Sequence, residues 1–227
     1  MKVQNIKSFS LYIITIMIGG CCMIATKEKL FFLDSVEINQ MNSIERAIEA
    51  RRSVRSYKDE PITLNELSRI LWGAQGITDK QRGLRAAPSA GALYPLGLYV
   101  VVGNVEGLSS GVYKYIVEKN ALEKISDGDK RKELSEAAYS QMWAATASAL
   151  IIICGTYEKM RNKYGSNADQ YVHMEVGCAA ENIYLQAKSL GLGTCFIAGF
   201  IEKRVQEIIN SGEKNEVPLA ILPVGKK

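Results

Sequence analysis

An α+β fold, built as a three-layer α/β/α sandwich with a small mixed or antiparallel sheet between helices, is what this 227-residue sequence predicts. Three observations carry it. Strand-like and helix-like segments interleave without internal repeats. The run Ala149 to Cys154 is apolar throughout, as a strand covered on both faces must be. The stretch Tyr171 to Leu190 has helical length and is apolar over much of its circumference, so it needs neighbours on more than one side.

The elements follow in order. Ser43 caps a helix running through Ile44, Ala47 and Ile48 to about Arg52, acidic towards its start and basic at its end. A second helix starts at Thr63, where Glu66 completes a capping box, carries the stripe Leu64, Leu67, Ile70, Leu71 and Ala74, and stops at Gly76. The Gly/Ala/Pro-rich stretch from Gly83 to Pro95 is a loop that feeds a strand at Leu98 to Val102. Val112 to Ile116 and Ala121 to Ile125 form a hairpin, and Lys130 to Tyr139 is helical. After the buried strand and the long helix, which Gly191 and Gly193 end, come strands at Thr194 to Ile197 and Leu219 to Val224 with a helix at Glu202 to Ile209 between them.

With 47% hydrophobic and 23% charged residues, the chain has the content of a single globular domain. Lysine and arginine (28) exceed aspartate and glutamate (24) by little, and two of the lysines sit at the extreme N-terminus, so no nucleic-acid partner is expected. Cys154, Cys178 and Cys195 lack short metal-binding spacings, and His173 is the only histidine. No metal site is expected, and a serine-histidine hydrolase is disfavoured. The chemistry therefore calls for a cofactor.

Lys2 and Lys7 precede the run Phe9 to Gly20, which is apolar apart from Ser10 and Thr15. Ile18-Gly19-Gly20-Cys21 resembles the lipobox of bacterial lipoproteins, in which cleavage leaves an N-terminal cysteine whose thiol carries lipid. Residues 1–20 are accordingly expected to be a signal or lipoprotein leader, or a membrane anchor, with Cys21 as the lipidation site. Residues 21–42 are then a tether and 43–227 a folded domain held outside the cytoplasm at a membrane. Two other readings fit the same run: an uncleaved anchor reaching Ile24, short against the about 20 residues that span a bilayer, and an apolar helix packed on the domain.

Three short pieces carry the chemistry. Arg51-Arg52-Ser53-Val54-Arg55 places three guanidinium groups and a hydroxyl at a helix end, which suits a terminal phosphate and equally suits a helix that complements its own dipole. In Arg85 to Pro95, the small residues around Pro88-Ser89-Ala90-Gly91 let backbone approach a flat ligand to which Ser89 can donate, although an ordinary tight loop has the same composition. Gly191-Leu192-Gly193-Thr194 with Ile197-Ala198-Gly199-Phe200 puts amides beside small residues, and its first half also reads as a helix C-cap.

Together and in this order, these pieces and the helix YVHMEVGCAAENIYLQAKSLGLG resemble the FMN-dependent nitroreductase superfamily over residues 43–227, with the SagB-type, thiazole/oxazole-forming dehydrogenase branch as the nearest match. The resemblance implies FMN, with Arg51, Arg52, Ser53 and Arg55 on its phosphate and ribityl chain, Pro88, Ser89, Ala90 and Gly91 lining its ring, and Ala198 and Gly199 near N5 and O4. It implies a homodimer with the flavin at the subunit interface. It also assigns catalysis to Lys163-Tyr164, one of which could act as base if the lysine is buried or has a cationic neighbour such as Arg161; a solvated lysine beside a packed tyrosine is the structural alternative.

The implied function is an FMN-dependent oxidoreductase that passes a hydride through flavin N5 to or from a small organic substrate. NAD(P)H is a candidate donor that would dock transiently, since no Gly-x-Gly-x-x-Gly fingerprint is present. A peptide azoline dehydrogenase working with a partner, and a non-catalytic, membrane-tethered flavin-binding protein, are the alternatives. Departures from the branch pattern fall on the substrate side: Asn167 for arginine, Cys178 for histidine and Glu181 for glutamine.

Overall fold

The computed structural model describes residues 42–210 and 215–227. The leader, Cys21 and the tether as far as residue 41 lie outside the described residues.

Helix α1 (Ser43–Ala50) begins one residue earlier than Ser43 capping predicts. Asn42 Oδ1 accepts from the amides of Ile44 and Glu45, each at 3.0 Å, and Glu45 reaches back to the Asn42 amide. Glu45 is three residues after Asn42, the spacing a capping box needs, whereas three residues after Ser43 stands Arg46. The helix also ends sooner, with Arg51 already extended. A two-residue strand β1 (Ile62–Thr63) leads into α2 (Leu64–Gln75), whose Thr63/Glu66 capping box and Gly76 stop match expectation.

The expected loop carries local structure: β3 (Leu84–Arg85) inside it pairs with β2 (Ile77–Asp79), which precedes it, and a 3-10 turn covers Ala90–Ala92. Next come β4 (Leu96–Val102), the short β5 (Val105–Glu106) that pairs in parallel with β1, and the hairpin β6 (Gly111–Ile116) and β7 (Ala121–Asp127). Helix α3 (Arg131–Ala137) precedes β8 (Ala149–Thr156). A helix absent from the sequence reading, α4 (Glu158–Tyr164), carries Lys163 and Tyr164 in its last turn. The long helix α5 (Ala168–Ser189) is followed by β9 (Leu192–Thr194), α6 (Glu202–Ile209) and β10 (Glu216–Lys226). Gly193 lies inside β9 rather than ending the helix, because an ideal Cβ there would come within 2.7 Å of Val54 and only glycine lets the two backbones pair.

The central sheet runs β7-β6-β4-β8-β10-β9, and every neighbouring pair in it is antiparallel. At the β9 edge Ser53 adds a parallel bridge to Thr194. Alternate residues of the central strands feed two cores. Leu98, Val100, Ile151 and Ile153 pack with Leu67 and Ile70 of α2 and Val176 and Ile183 of α5. Tyr99, Val101, Leu150 and Ile152 pack with Leu134 of α3 and Val205 and Ile209 of α6. That is the expected three-layer sandwich, and two-sided cover explains why β8 is a continuous apolar run.

Candidate functional site

The arginine segment is an extended strip along the sheet edge. Val54 N donates to Thr194 O (2.9 Å), and the half-buried Tyr57 hydroxyl, its pKa pushed up chiefly by desolvation, donates to Val54 O (2.8 Å). Ser53 Oγ shares a 3.0 Å hydrogen bond with the Tyr184 hydroxyl of α5, which also accepts from Phe196 N at 2.7 Å. The Arg51 guanidinium lies 5.0 Å from the centre of the Tyr184 ring, and that of Arg55 lies 5.9 Å from the centre of the Trp143 ring. Arg52 is different: its Nη1 donates to Glu49 O and Arg51 O, at 2.8 and 2.7 Å, and so serves the end of α1.

Ala198 and Gly199 are exposed on the stretch beyond Phe196. Ile197 N is spent on Ile221 O (2.9 Å) and Ile201 N on Ala137 O (2.8 Å), while the amides of Ala198 and Gly199 reach no protein acceptor among the described residues. Beside this strip Thr194 Oγ1 is buried and without a partner. A buried polar atom left open is rare enough in native folds to mark a place where a ligand or water completes the site.

The turn Pro88 to Tyr94 forms a separate cluster. Glu175 of α5 is buried, and its Oε1 accepts from Ser89 Oγ (3.0 Å) and Ala90 N (2.9 Å). Ser89 Oγ in turn accepts from Tyr94 N at 2.8 Å, so its hydroxyl is engaged within the protein. Desolvation raises the Glu175 pKa, and the bonds from Ala90 and Ser89 offset only part of that rise. Gly91 has φ 60° and faces Lys163 Nζ and Tyr164 OH so closely that a Cβ would fall 2.5 Å from the phenol oxygen. Tyr164 stacks edge-on against Tyr171, with ring centres 5.0 Å apart. Arg161 does not support Lys163: it forms two 2.9 Å bonds to Asp169 instead.

Thus Gly91, Lys163 and Tyr164 come together, as do Ser53, Thr194 and the approach to Ala198. The two groups are anchored apart. Glu175 and Tyr184 are nine residues apart on α5, roughly 13.5 Å along the axis and about half a turn around it. Between their flanks runs an exposed stripe containing Met174, Gly177, Cys178 and Glu181. Glu181 meets Arg51 at 3.8 Å, and Cys178 is a free thiol. Among the described residues no His, Cys, Asp and Glu group could hold a metal ion.

Sequence reasoning missed Glu175, Tyr184, Tyr139 and Trp143. Glu175 left a signal, a carboxylate among Val172, Val176 and Ala179 on the apolar side of a helix, where ionisable residues are rarely found unpartnered.

A three-layer α+β sandwich with an antiparallel sheet, an arginine strip on its edge strand and a small-residue turn on its long helix defines a structural class, and the comparisons agree with it. The profile of the nitroreductase family matches residues 48–226, and the chain belongs to that family. It is 46% identical over 184 residues to a nitroreductase-like protein of Methanocaldococcus jannaschii, covering 81% of this chain and 91% of that one. It is 24% identical over 170 residues to the microcin B17-processing protein of Escherichia coli, covering 70% of this chain and 61% of the relative. It is likewise 24% identical over 196 residues to an FMN reductase [NAD(P)H] of Bacillus subtilis, covering 81% and 64% respectively. Among solved structures, a nitroreductase-like protein of Anabaena variabilis aligns with TM-score 0.71 at 27% identity, over 81% of this chain and 38% of that one. The E. coli microcin synthetase complex aligns at 0.68 and 23%, over 89% and 79%, which shows the fold alone.

Proposed function

We propose that the protein is an FMN-dependent oxidoreductase that moves two electrons between a donor such as NAD(P)H and a small organic acceptor. The observation that carries this reading is the group of open donors along the edge strip, the buried, unpartnered Thr194 hydroxyl and the unengaged amides of Ala198 and Gly199, beside the guanidinium groups of Arg51 and Arg55. These residues fit a planar, phosphorylated cofactor, and the family contains relatives named as FMN and NADPH-flavin reductases. When bound, FMN supplies a reversible hydride acceptor and donor.

Arg51, Arg55 and Ser53 supply charge and a hydroxyl for the phosphate and ribityl chain, Arg52 braces the helix end beside them, and Thr194 Oγ1 completes the cradle. Ala198 and Gly199 offer amides to the polar edge of the ring. Pro88, Ser89, Ala90 and Gly91 present a small-residue wall whose backbone Glu175 holds in place. Lys163 Nζ or Tyr164 OH carries the proton at the substrate side, where they meet Gly91.

The exposed stripe of α5, from Met174 to Glu181, supports a homodimer in which the stripe of one copy meets that of the other. A groove of about 330 Å³ beside α1 and α2, lined by Ile44, Ala47, Trp72 and Leu185, adds apolar surface on the α1, α2 and α5 side. The leader adds attachment to the outer face of a membrane through Cys21, ahead of a tether over residues 21–42 and the catalytic domain over residues 43–227. Among the described residues no helix is long and apolar enough to cross a membrane.

An absorbance spectrum of the purified full-length protein tests the central claim. Flavin bands, or uptake of added FMN, are expected; a colourless protein that takes up none rules the reading out. Lipid-precursor labelling is expected to disappear in Cys21→Ala.

A second reading, a dehydrogenase acting on a peptide held by a partner, draws on the similarity to the microcin-processing protein and on the Lys163/Tyr164 pair beside Gly91. Lys163→Ala and Tyr164→Phe test the pair on which this reading draws. Loss of both activities to below about a hundredth is expected if the pair transfers the proton. Full turnover in both variants removes the pair from the mechanism.

A further inference from the structure

Helix α4 owes its place in the fold to very little buried surface. It has seven residues, too few to be stable as an isolated helix, and Met160 is its single buried residue. What fastens it to α5 is a polar network along one face. Tyr157, Arg161 and Tyr164 follow one another at the four- and three-residue spacings that bring side chains to one side of a helix.

Arg161 stands in the middle of that face. Its Nε and Nη2 donate to Asp169 Oδ1 and Oδ2, both at 2.9 Å, and its guanidinium lies 5.0 Å from the centre of the Tyr157 ring. The Tyr157 hydroxyl in turn shares a 2.8 Å hydrogen bond with His173 Nε2, one turn beyond Asp169 on α5. The bonds from Arg161 hold the Asp169 carboxyl below its ordinary pKa, so both partners are charged at neutral pH. With both side chains about half exposed, the pair adds little to global stability. A two-pronged guanidinium–carboxylate contact is directional, however, and fixes how one helix lies on the other. Two and three residues after Arg161 come Lys163 and Tyr164, whose Nζ and OH stand against Gly91 with no room for a Cβ between them. Lys163 is exposed and Tyr164 touches Tyr171 only edge-on, so the aim of both follows from where the helix lies.

Resting on the assignment of proton transfer to Lys163 or Tyr164, we propose that Arg161 is a positioning residue for the reaction: through Asp169 and Tyr157 it holds the last turn of α4 so that Lys163 Nζ and Tyr164 OH meet Gly91. Its charge serves the angle between two helices and not the proton itself.

The test uses the full-length protein loaded with FMN, with NADPH as donor and menadione as acceptor, in wild type, Arg161→Ala, Arg161→Lys and Asp169→Asn. The expected result is a kcat about tenfold lower in Arg161→Ala and Asp169→Asn, with KM for menadione and the FMN dissociation constant within about twofold of wild type. Arg161→Lys, which can still make one of the two bonds, should recover part of the loss. Hydrogen exchange should quicken about tenfold in the α4 amides of Arg161→Ala and stay as in wild type in β8 and the middle of α5. Placed in a Lys163→Ala/Tyr164→Phe background, Arg161→Ala should cost nothing further, because the groups it aims are gone. Asp169→Asn answers the same question from the other side of the pair if Arg161→Ala does not fold. An unchanged kcat in both overturns the proposal, and so does a tenfold loss that persists in the Lys163→Ala/Tyr164→Phe background, since Arg161 would then act apart from the pair. Weaker FMN binding, or faster exchange throughout the domain, also overturns it by making Arg161 a general brace. Full turnover of the Lys163→Ala/Tyr164→Phe protein itself removes the proton-transfer assignment, and the positioning role with it.

Discussion

The arginine strip over residues 51–55 and the small-residue turn over 88–94 belong to one candidate site, yet the protein holds them by different means. The strip is fixed mainly through backbone: Val54 N on Thr194 O, the Ser53 bridge to Thr194 and Lys58 N on Lys226 O. Tyr57 and Tyr184 add hydroxyl braces. The turn depends chiefly on one side chain, Glu175, whose Oε1 takes both donors. The position of the arginines is thus inherited from sheet register and close packing, while that of the turn is set by a buried ionisable group. Packing changes should disturb the first, and pH the second.

The largest expected effect is on the strip. Gly193→Val places atoms within 2.7 to 2.8 Å of Val54, whose backbone is already bonded to the neighbouring strand residue. It should cost about 3 kcal/mol in urea unfolding and weaken FMN binding about tenfold. A destabilised protein whose folded fraction still binds FMN as tightly would detach the strip from cofactor binding. On the other side, Glu175→Ala strands the Ser89 and Ala90 donors and should cost about 2 kcal/mol. Glu175→Gln keeps an acceptor oxygen and should cost under about 1 kcal/mol. If the two variants cost the same, the acceptor geometry is not what holds the turn.

The same contrast explains what was readable in the sequence. The sandwich, the Thr63 cap, the buried β8 strand and the bounds of α6 follow from local patterns, and all appear as expected. Residues near the site were harder. The α5 stretch shows its apolar content plainly, but whether Glu175 faces solvent or a turn 86 residues away depends on tertiary packing. Gly193 reads as a helix stop because local sequence does not reveal that Val54 will pass beside it. Nor does local sequence reveal that Lys226, at the end of β10, bonds Glu66 at 2.6 Å. The motif arginines were visible as a group, but the assignment of Arg52 to the end of α1 was not, since both uses demand the same residue type.

Smaller effects sharpen the contrast further. Tyr184→Phe removes the partner of Ser53 Oγ and of Phe196 N, and should cost about 1 kcal/mol at every pH tested, since backbone and neutral hydroxyl groups are what it affects.

Glu175 should behave otherwise. Its pKa is raised by burial, so between the ordinary carboxylate value of about 4.3 and the raised one the folded protein keeps a proton that the unfolded chain releases. The stability this group contributes is full below the unfolded value and is lost as pH rises through the folded value. Melting curves across roughly pH 4 to 8 should therefore show the wild type falling relative to Glu175→Gln as pH increases, while Tyr184→Phe runs parallel to the wild type. If Glu175→Gln also runs parallel, the carboxyl titrates alike in both states, and the turn is no more sensitive to pH than the arginine strip.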